Sequence, residues 1–376
     1  MAASSVSRID PVLDSSLGMV VSLAYGDALG APYEFYGSPR GGVNPATCNG
    51  ELHLPVRVKG RSSEKRTVVG QVTDDTEMSS ALVSALLDGK GKYDQKRAVK
   101  KYVQWANSKP FGMGRNTRDL FLKVKRVSEY RKRLEEKMAE PEYRWTQSNG
   151  CLMRAAPLAL AANPLEAARL DCEATNPHPI CVNACVVYVG VLRTILASPR
   201  RDPKFHLHLK RVAFHLAEKD EVRQTLESAL NHGTLRDVGT QKGWVLHGLW
   251  CAFRALILVN MPGYALRNIV TWVVMQGGDT DTNAAIAGAM AGAWFGLEQI
   301  KAENAGAMRE NLRTLIGANP AKGDYPRPYE YSVPLMVERV KALTQFEGVS
   351  APLTLKGGPT LGAEESPEEH FLQLLE

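Results

Sequence analysis

Apolar side chains recur at helical spacing along this 376-residue chain, whereas the strict polar–apolar alternation of half-buried strands is almost absent. Glycine and proline separate the helical segments, and no repeat is sustained. The pattern predicts an all-α fold that forms a single compact globule rather than a solenoid. The predicted helices are residues 11–29, 73–87, 95–105, 123–140, 151–171, 180–197, 208–217, 221–230, 244–259, 264–275, 282–297 and 303–315.

Two stretches between these segments lack the helical pattern. Residues 36–70 are rich in glycine, proline and charge, which predicts a long loop with only short candidate strands, such as residues 52–58. Residues 317–334 are proline-rich and are predicted to be irregular.

The ends of the chain differ in composition from its centre. We expect one domain over residues 11–346, a disordered N-terminus over 1–10 and a flexible linker over 347–365. Residues 366–376 open with Ser-Pro-Glu-Glu, which places a capping serine, a first-turn proline and an early glutamate as a helix start requires. A short C-terminal helix is therefore predicted there.

Charge and cysteine usage limit the classes of partner. The formal net charge of +6 is spread over residues of both signs, which suits a small anionic ligand and makes nucleic acid an unlikely partner. The six cysteines are scattered without a CxxC pair, so we expect reduced buried thiols and a cytoplasmic, reducing compartment. No run of about 18 apolar residues is present, so no membrane span is expected.

A first acidic cluster, Thr73-Asp74-Asp75-Thr76-Glu77, stands where a loop ends and a helix begins. Helix starts attract such residues merely to cap free N–H groups, and Asp74 with Glu77 fits a capping box. A cap uses one side-chain oxygen, however, and two adjacent aspartates between threonines offer more than that.

A second cluster, Gly277-Gly278-Asp279-Thr280-Asp281-Thr282-Asn283, also precedes a helix. The glycines permit unusual backbone angles, and aspartates two residues apart can be aimed at one point. Carboxylates and hydroxyls without histidine or cysteine suit Mg²⁺ or Mn²⁺ rather than zinc.

The helix after this cluster presents glycine every fourth residue, at Gly288, Gly292 and Gly296. Glycine costs about 1 kcal/mol per site in a helix, so close backbone approach to a neighbour is the expected compensation. That packing would bury Asp279 and Asp281. If both clusters meet there, four carboxylates would repel one another by several kcal/mol, which favours a pair of divalent cations over one.

A third segment, Gly26 to Phe35, ends the first predicted helix. We interpret Asp27 as structural. Glu34 lies beyond the helix on a loop bounded by glycine and proline, where it could serve as a general acid or base above a metal centre.

Together these segments resemble the ADP-ribosylglycohydrolase family of the dinitrogenase-reductase-activating type, in the family's order from about residue 15 to residue 300. GDALGAPYEF, TDDT and GGDTDTNAAIAGAMAGAWFG carry the resemblance. Residues 111–117 resemble the glycine loop that wraps the substrate's phosphates, 148–157 the Asn-Gly segment that lines the ribose, and 243–250 a late helix containing Tyr or Trp.

The resemblance implies an orthogonal all-α globule and a set of site residues. Two Mg²⁺ or Mn²⁺ ions would be bound by Thr73, Asp74, Asp75, Asp279, Asp281 and Thr282. The implied catalytic acids are Glu34, Asp75 and Asp279, and the implied substrate-binding residues are Gly112, Met113, Gly114, Ser148, Asn149, Gly150 and His178.

Two positions depart from the family pattern. Asn176 stands where the family often has histidine, and Ser148 stands where glycine is common. His178 is the nearest histidine to the first of these positions. Both departures lie on the substrate side, so they leave the leaving group open.

The resemblance implies hydrolysis of the glycosidic bond at the distal ribose of an ADP-ribosylated protein, with ADP-ribose as product and a monomer as the working unit. Arginine is the favoured linkage and serine is possible. Hydrolysis of ADP-ribosylated nucleic acid or of small ADP-ribose esters is an alternative. A metal-dependent phosphohydrolase and a non-catalytic ADP-ribose-binding protein are others.

Overall fold

Helices make up most of the chain in the computed structural model, which describes residues 9–34, 36–37, 42–59, 64–144, 146–199, 201–231, 241–318, 321–349 and 351–355. Within these ranges the α-helices are α1 (Pro11–Gly30), α2 (Asp74–Asp88), α3 (Gln95–Ala106), α4 (Arg115–Phe121), α5 (Val127–Ala139), α6 (Pro141–Arg144), α7 (Pro164–Glu173), α8 (Pro179–Leu196), α9 (Pro203–Leu216), α10 (Asp220–Leu230), α11 (Val245–Leu258), α12 (Leu266–Met275), α13 (Thr280–Phe295), α14 (Leu297–Ala302), α15 (Ala307–Gly317) and α16 (Val333–Leu343). The prediction of an all-α fold is confirmed.

A small hairpin is the exception to helical structure. Strand β1 (Arg57–Lys59) pairs antiparallel with β2 (Glu64–Arg66), with Val58 opposite Lys65. The hairpin lies in the stretch predicted to be a long loop, and β1 overlaps the end of the candidate strand over residues 52–58.

The prediction of one helix over residues 151–171 is wrong. The chain instead forms 3₁₀ turns at Asn149–Cys151 and Ala156–Leu160 before α7 begins. Proline at 157 and 164 has no N–H to donate, which interrupts a helical ladder. The chain also wraps around the buried Arg154 side chain, which donates hydrogen bonds to Gly150 O at 2.7 Å and Asp171 O at 3.0 Å.

Helices α1 and α13 pack backbone against backbone at the centre of the fold. A Cβ atom added to Gly292 would lie 2.2 Å from Gly18 O, and one added to Gly288 would lie 2.4 Å from Ser22 O. Only glycine permits that approach, so the expectation drawn from the glycine-faced helix is confirmed. A Cβ atom on Gly30 would lie 2.4 Å from Thr280 O, so the end of α1 meets the start of α13.

Other helices enclose this pair. The Tyr188 hydroxyl of α8 donates to Ile286 O of α13 at 2.9 Å, and Arg327 ties the proline-rich stretch to α2 through Glu77, at 2.7 Å between Nε and Oε1. Both side chains of the Arg327–Glu77 pair are buried. The first contact ties α8 to α13, and the second ties α2 to the stretch that precedes α16.

The beginning of the predicted linker lies against the globule. Val349 is buried, and Arg193 donates to Ala351 O at 2.7 Å and to Val349 O. Residues 1–8, the remainder of the predicted linker and the predicted C-terminal helix lie outside the described residues. The domain boundaries therefore stay a prediction.

Two described helical stretches, Pro11–Tyr33 and Pro179–Leu196, are long and apolar enough to cross a membrane when judged by length and composition alone. Their apolar windows are 83% and 78% buried inside the fold, respectively. Core helices of globular proteins pass the same test, so the finding is weak evidence for a membrane.

Candidate active site

Three chain segments distant in sequence meet at one point of the fold: the last turns of α1, the start of α2 and the start of α13. One carboxylate oxygen from each of Asp27, Asp75 and Asp281 lies within 4.8 Å of the other two. Glu34, Asp279 and Asp281 form a second trio within the same limit. Asp281 belongs to both trios, so the two predicted clusters share one site with the loop acid.

Asp27 caps α2 from the neighbouring helix α1. Its carboxylate accepts hydrogen bonds from the backbone N–H groups of Thr73 and Thr76, at 2.9 and 3.1 Å, and from the Thr76 hydroxyl at 2.5 Å. Thr73, the N-cap residue, makes no side-chain capping bond in the described structure. Because Asp27 meets the capping requirement, Asp74 and Asp75 are available for another role.

Glu77 does not complete the capping box that its spacing from Asp74 suggested. Its carboxylate instead accepts from Trp105 Nε1 at 2.7 Å and pairs with Arg327. The alternative explanation of the first cluster, that it only caps the helix, does not fit these contacts. The side chain of Glu77 faces the core, whereas Asp75 faces the other acids.

The second cluster reaches the site through a turn made by two glycines. Gly277 and Gly278 both have φ near +77°, a region that other residues rarely enter. Asp279 occupies the N-cap position of α13 without making a side-chain capping bond. Its Oδ2 instead accepts from Asn149 Nδ2 at 2.8 Å, which fixes the direction of the carboxylate.

The acids of the site are crowded and poorly solvated. Burial raises the pKa of Asp75 well above its usual range, and the charges of Asp27, Asp74 and Asp279 add to the effect. Burial, followed by the charges of Glu34, Asp279 and Asp75, does the same for Asp281. Burial also raises the pKa of Asp27 to about 6 and that of Asp74 to about 7.

These residues fit a hard divalent cation. Asp75 Oδ1 is buried and has no hydrogen-bond partner among the described residues, and a buried carboxylate oxygen without a partner is costly. The available donors are carboxylate and hydroxyl oxygens, the ligands that Mg²⁺, Mn²⁺ and Ca²⁺ prefer. The chain therefore has an acidic group able to bind metal.

Glu34 follows a 3₁₀ turn, Ala31–Tyr33, at the end of α1. It is half-buried, and its carboxylate joins the trio with Asp279 and Asp281. The structure thus brings the predicted loop acid to the metal-binding group.

The glycine loop passes beside the first cluster. A Cβ atom on Gly112 would lie 3.4 Å from Asp74 Oδ1, whereas one on Gly114 would meet no heavy atom within 4 Å. The carbonyl of Met113 accepts from Arg118 Nη2 at 3.1 Å, and Gly114 is the N-cap of α4. The loop therefore presents open backbone next to the acids.

The Asn-Gly segment lines another side of the site. Ser148 forms an antiparallel bridge with Trp244, and the Asn149 N–H donates to Gly243 O at 2.8 Å. Gly243 has φ +78°, and a Cβ atom there would lie 3.3 Å from Asp279 Oδ2. A Cβ atom on Gly150 would meet nothing within 4 Å, so the segment has an open face.

The two departures from the family pattern contact each other. Asn176 Nδ2 donates to Ser148 Oγ at 2.8 Å. His178 does not replace Asn176 in this contact. It is buried at the N-cap of α8, where its Nδ1 accepts from Ile180 N and its Nε2 lies 3.4 Å from Gln147 Nε2.

The sequence did not indicate the partners of three supporting residues. Asp27 was interpreted as structural without its partners, and the contacts of Asn149 with Asp279 and of Gly243 with Asn149 were not foreseen. The patterns at these positions were a buried aspartate between two helix glycines and a lone glycine before α11. Neither pattern names a partner far along the chain.

Comparisons with known proteins agree on one family. Residues 9–324 match the family model described as ADP-ribosylglycohydrolase. The chain is 25% identical over 297 residues to the ADP-ribosyl-[dinitrogen reductase] glycohydrolase of Rhodospirillum rubrum, covering 77% of this chain and 88% of that protein. It is also 25% identical over 303 residues to the ADP-ribosylarginine hydrolase Tri1 of Serratia proteamaculans, covering 77% and 73%, respectively.

A solved structure shares the fold. The chain matches a protein titled "ADP-ribosylglycohydrolase-related protein complex" with a TM-score of 0.57 and 24% identity, covering 91% of this chain and 100% of that one. At that identity the likeness concerns the fold alone.

Proposed function

Since the chain belongs to the ADP-ribosylglycohydrolase family, we propose that it removes ADP-ribose from modified protein side chains by hydrolysing the glycosidic bond at the distal ribose. The observation that carries this proposal is the pair of acidic trios sharing Asp281. It is the arrangement expected where two cations orient a sugar for hydrolysis. ADP-ribose would leave as the free product.

Two Mg²⁺ or Mn²⁺ ions are proposed as cofactors. The residues that would hold them are Thr73, Asp74, Asp75, Asp279, Asp281 and Thr282. When bound, such ions neutralise the clustered carboxylates and supply Lewis-acid polarisation to a sugar and its attacking water. The unpartnered Asp75 Oδ1 supports this assignment.

Side chains of the protein would supply the proton transfer and hold the ligands in orientation. Cleavage transfers the ribose C1″ from its protein linkage to water, and positive charge builds on the ring as the bond breaks. Glu34 is half-buried beside Asp279 and Asp281, a place from which its carboxylate can accept the proton that water loses. Asp75 is the alternative base, while Asn149 holds Asp279 in its orientation.

Backbone groups would hold the diphosphate. Gly112 and Gly114 leave the loop beside Asp74 open to close approach, and successive N–H groups in such a loop favour anions. This would place the distal ribose over the acids and the rest of ADP-ribose along the loop.

Arginine is the favoured linkage. It is the linkage named for the Serratia relative, and the ADP-ribosylglycohydrolase family resemblance points the same way. Serine stays possible because Glu34 is present. The contact of Asn176 with Ser148 lies at positions where this chain departs from its family, so we infer that this pair influences the leaving group.

Matched assays on arginine-linked and serine-linked ADP-ribosyl proteins test the proposal. We expect chromatography to detect free ADP-ribose, EDTA to abolish its release and Mg²⁺ or Mn²⁺ to restore it. Release of AMP or phosphate would favour a phosphohydrolase. Binding of ADP-ribose without turnover would favour a non-catalytic binding protein.

The double variant Asp279→Asn/Asp281→Asn supplies the residue-level test. We expect at least a ~100-fold loss of activity with unchanged helical circular dichroism, because both substitutions remove ligand charge from the same site. Full activity in this variant would contradict the proposed metal centre. Asp94→Asn, at the exposed N-cap of α3, is the control and should keep its activity.

A further inference from the structure

Four of the six cysteines gather in the core behind the Asn-Gly segment. Cys151 ends a 3₁₀ turn, Cys172 lies on α7, and Cys181 and Cys185 lie one helical turn apart on α8. One sulfur from each of Cys151, Cys172 and Cys185 lies within 4.8 Å of the other two. The sequence predicts reduced buried thiols, but the spacing of Cys151, Cys172 and Cys185 does not indicate that they meet.

The cluster is closed to solvent and contains no disulfide. All four residues are at most 1% exposed, and all six cysteines are free. Cys172 Sγ lies 3.1 Å from Asn176 O, whereas Cys151 Sγ is 3.6 Å from Ser148 O and Cys181 Sγ is 3.9 Å from Thr146 O. Backbone carbonyl oxygens thus lie near three of the sulfurs, and Cys151, Cys172 and Cys185 also lie within 4.8 Å of one another.

A buried positive charge lies beside the thiols. Arg154 is fully buried next to Cys151 and pairs with Asp171 at 2.9 Å. A nearby cation favours the charged form of an acidic group such as a thiol. The thiolate is the form that binds metal.

We propose that Cys151, Cys172 and Cys185, with Cys181 as a fourth ligand, bind one thiophilic cation, with Zn²⁺ as the best match. Sulfur ligands select zinc over magnesium or manganese. Zinc–sulfur bonds of about 2.3 Å place tetrahedral sulfurs about 3.8 Å apart, so the three sulfurs within 4.8 Å of one another need only a small contraction. Cys181, one helical turn before Cys185, would turn its side chain to complete the set. Each coordinating thiol would release one proton to solvent as the bond to zinc forms.

This site differs in chemistry and place from the acidic centre. Cys151 lies two residues after Asn149, whose side chain holds Asp279. A zinc ion among the cysteines would bind the 3₁₀ turn to α7 and α8 and so keep Asn149 in position. We assign it a structural role, because four protein ligands leave no open coordination position.

Metal analysis of the full chain tests the inference. The protein is expressed in zinc-supplemented medium, desalted to remove loosely bound metal, and analysed by mass spectrometry for zinc per chain. We expect one retained zinc ion in the wild type and in the control variants Cys48→Ala and Cys251→Ala, whose thiols are also buried. Cys172→Ala and Cys185→Ala should lose it.

A second measurement does not depend on the folding of the variants. Titration of the wild-type protein with an organomercurial should release zinc to a chromogenic indicator as the clustered thiols react. A Co²⁺-loaded protein should show the intense visible bands of tetrahedral cobalt thiolate.

Two results would overturn the inference: folded wild-type protein that retains no zinc after refolding with Zn²⁺, or zinc retained in full by Cys172→Ala and Cys185→Ala. Neither readout depends on ADP-ribose hydrolysis. Failure of the proposed enzymatic function would therefore leave the zinc measurement unchanged.

Discussion

At the scale of single residues, the carboxylate of Asp27 decides what the first acidic cluster can do. It accepts hydrogen bonds from two backbone N–H groups and one hydroxyl of the Thr73–Thr76 turn. A local cap would have used Asp74 or Asp75 for the same purpose. An aspartate on α1 thus leaves two aspartates on α2 directed at the site.

Asp27→Asn should weaken binding of Mn²⁺ by about 10–100-fold, the usual effect of losing a residue that orients metal ligands. The amide would turn an N–H₂ group toward donors that now meet an acceptor. Isothermal titration calorimetry measures the affinity. Asp94→Asn makes the same carboxylate-to-amide change at the cap of α3, where Oδ1 accepts from Arg97 N at 2.7 Å, and should leave the affinity unchanged. Equal affinities in both variants would refute a positioning role for Asp27.

The raised pKa values predict how the stability of the metal-free protein depends on pH. Burial and neighbouring charge raise the pKa of Asp74 to about 7, and burial raises that of Asp27 to about 6. Both values are higher than in the unfolded chain, so the folded state binds more protons between about pH 4 and pH 7. The stability that these groups contribute is therefore present at low pH and is lost as pH rises through the window.

Thermal unfolding of EDTA-treated protein at several pH values measures this effect. Mn²⁺ should restore stability above pH 7, where the carboxylates are ionised. The Asp279→Asn/Asp281→Asn variant lacks two of the repelling charges, so its metal-free stability should fall less over the same window. An equal or steeper fall in that variant would contradict carboxylate repulsion as the cause.

At the scale of elements, the contact between α1 and α13 depends on glycine. Gly292→Ala would place a methyl group 2.2 Å from Gly18 O. Its helix-propensity gain of about 1 kcal/mol should be outweighed by overpacking, which costs about 1–3 kcal/mol or more. We expect a net loss of stability by denaturant unfolding, together with weaker metal binding because the start of α13 shifts.

Gly317→Ala is the matched control for this substitution. Gly317 is the last residue of α15, and a Cβ atom there meets no heavy atom within 4 Å. Its stability should be equal to or slightly above that of the wild type. If Gly292→Ala were equally harmless, the backbone contact between the two central helices would not limit the fold.

Elements with a strong local pattern were predictable, and long-range partners were not. The apolar periodicity located α1, α2 and α13, and the glycine spacing of α13 indicated close packing. The prediction of one helix over residues 151–171 was wrong because it followed the apolar composition and did not weigh the two prolines. The hydrogen bonds made by Arg154 could not be foreseen. Helix α16 was missed because it follows the proline-rich stretch directly.

In the candidate site, too, the residues were predictable and their distant partners were not. The acidic residues were identifiable from residue type and from their position at helix starts. The contact of Asn149 with Asp279 joins residues 130 apart, and the cysteine cluster joins three separate elements. Such contacts depend on tertiary packing, which a local sequence pattern does not indicate.

At the scale of the whole molecule, the Arg327–Glu77 pair joins the proline-rich stretch to the start of α2. Arg327→Ala should destabilise the protein by about 3–5 kcal/mol, because it leaves a buried carboxylate without its cation. Adding Glu77→Gln should recover part of that loss, since the amide oxygen can still accept from Trp105. Equilibrium urea unfolding of the single and double variants measures both effects.

Arg339→Ala is the control for this pair. Arg339 contacts Glu330 at 3.0 Å, and the glutamate is 47% exposed. Ion pairs with such access to solvent contribute about 0–1 kcal/mol, so this variant should remain close to the wild type. Similar losses in Arg327→Ala and Arg339→Ala would mean that burial does not set the strength of the pair.

The backbone contact between α1 and α13 also bears on how the chain is made. About 250 residues separate the two helices, so at a synthesis rate of about 5–20 residues per second the ribosome needs on the order of tens of seconds to supply the second after the first. Throughout that interval α1, whose residues from Ser15 to Gly30 are all buried in the finished fold, lacks the helix that its glycine-rich face packs against. Nascent chains are thus a natural target for chaperones, and a product that stops before residue 280 carries an unpaired apolar helix into the cell.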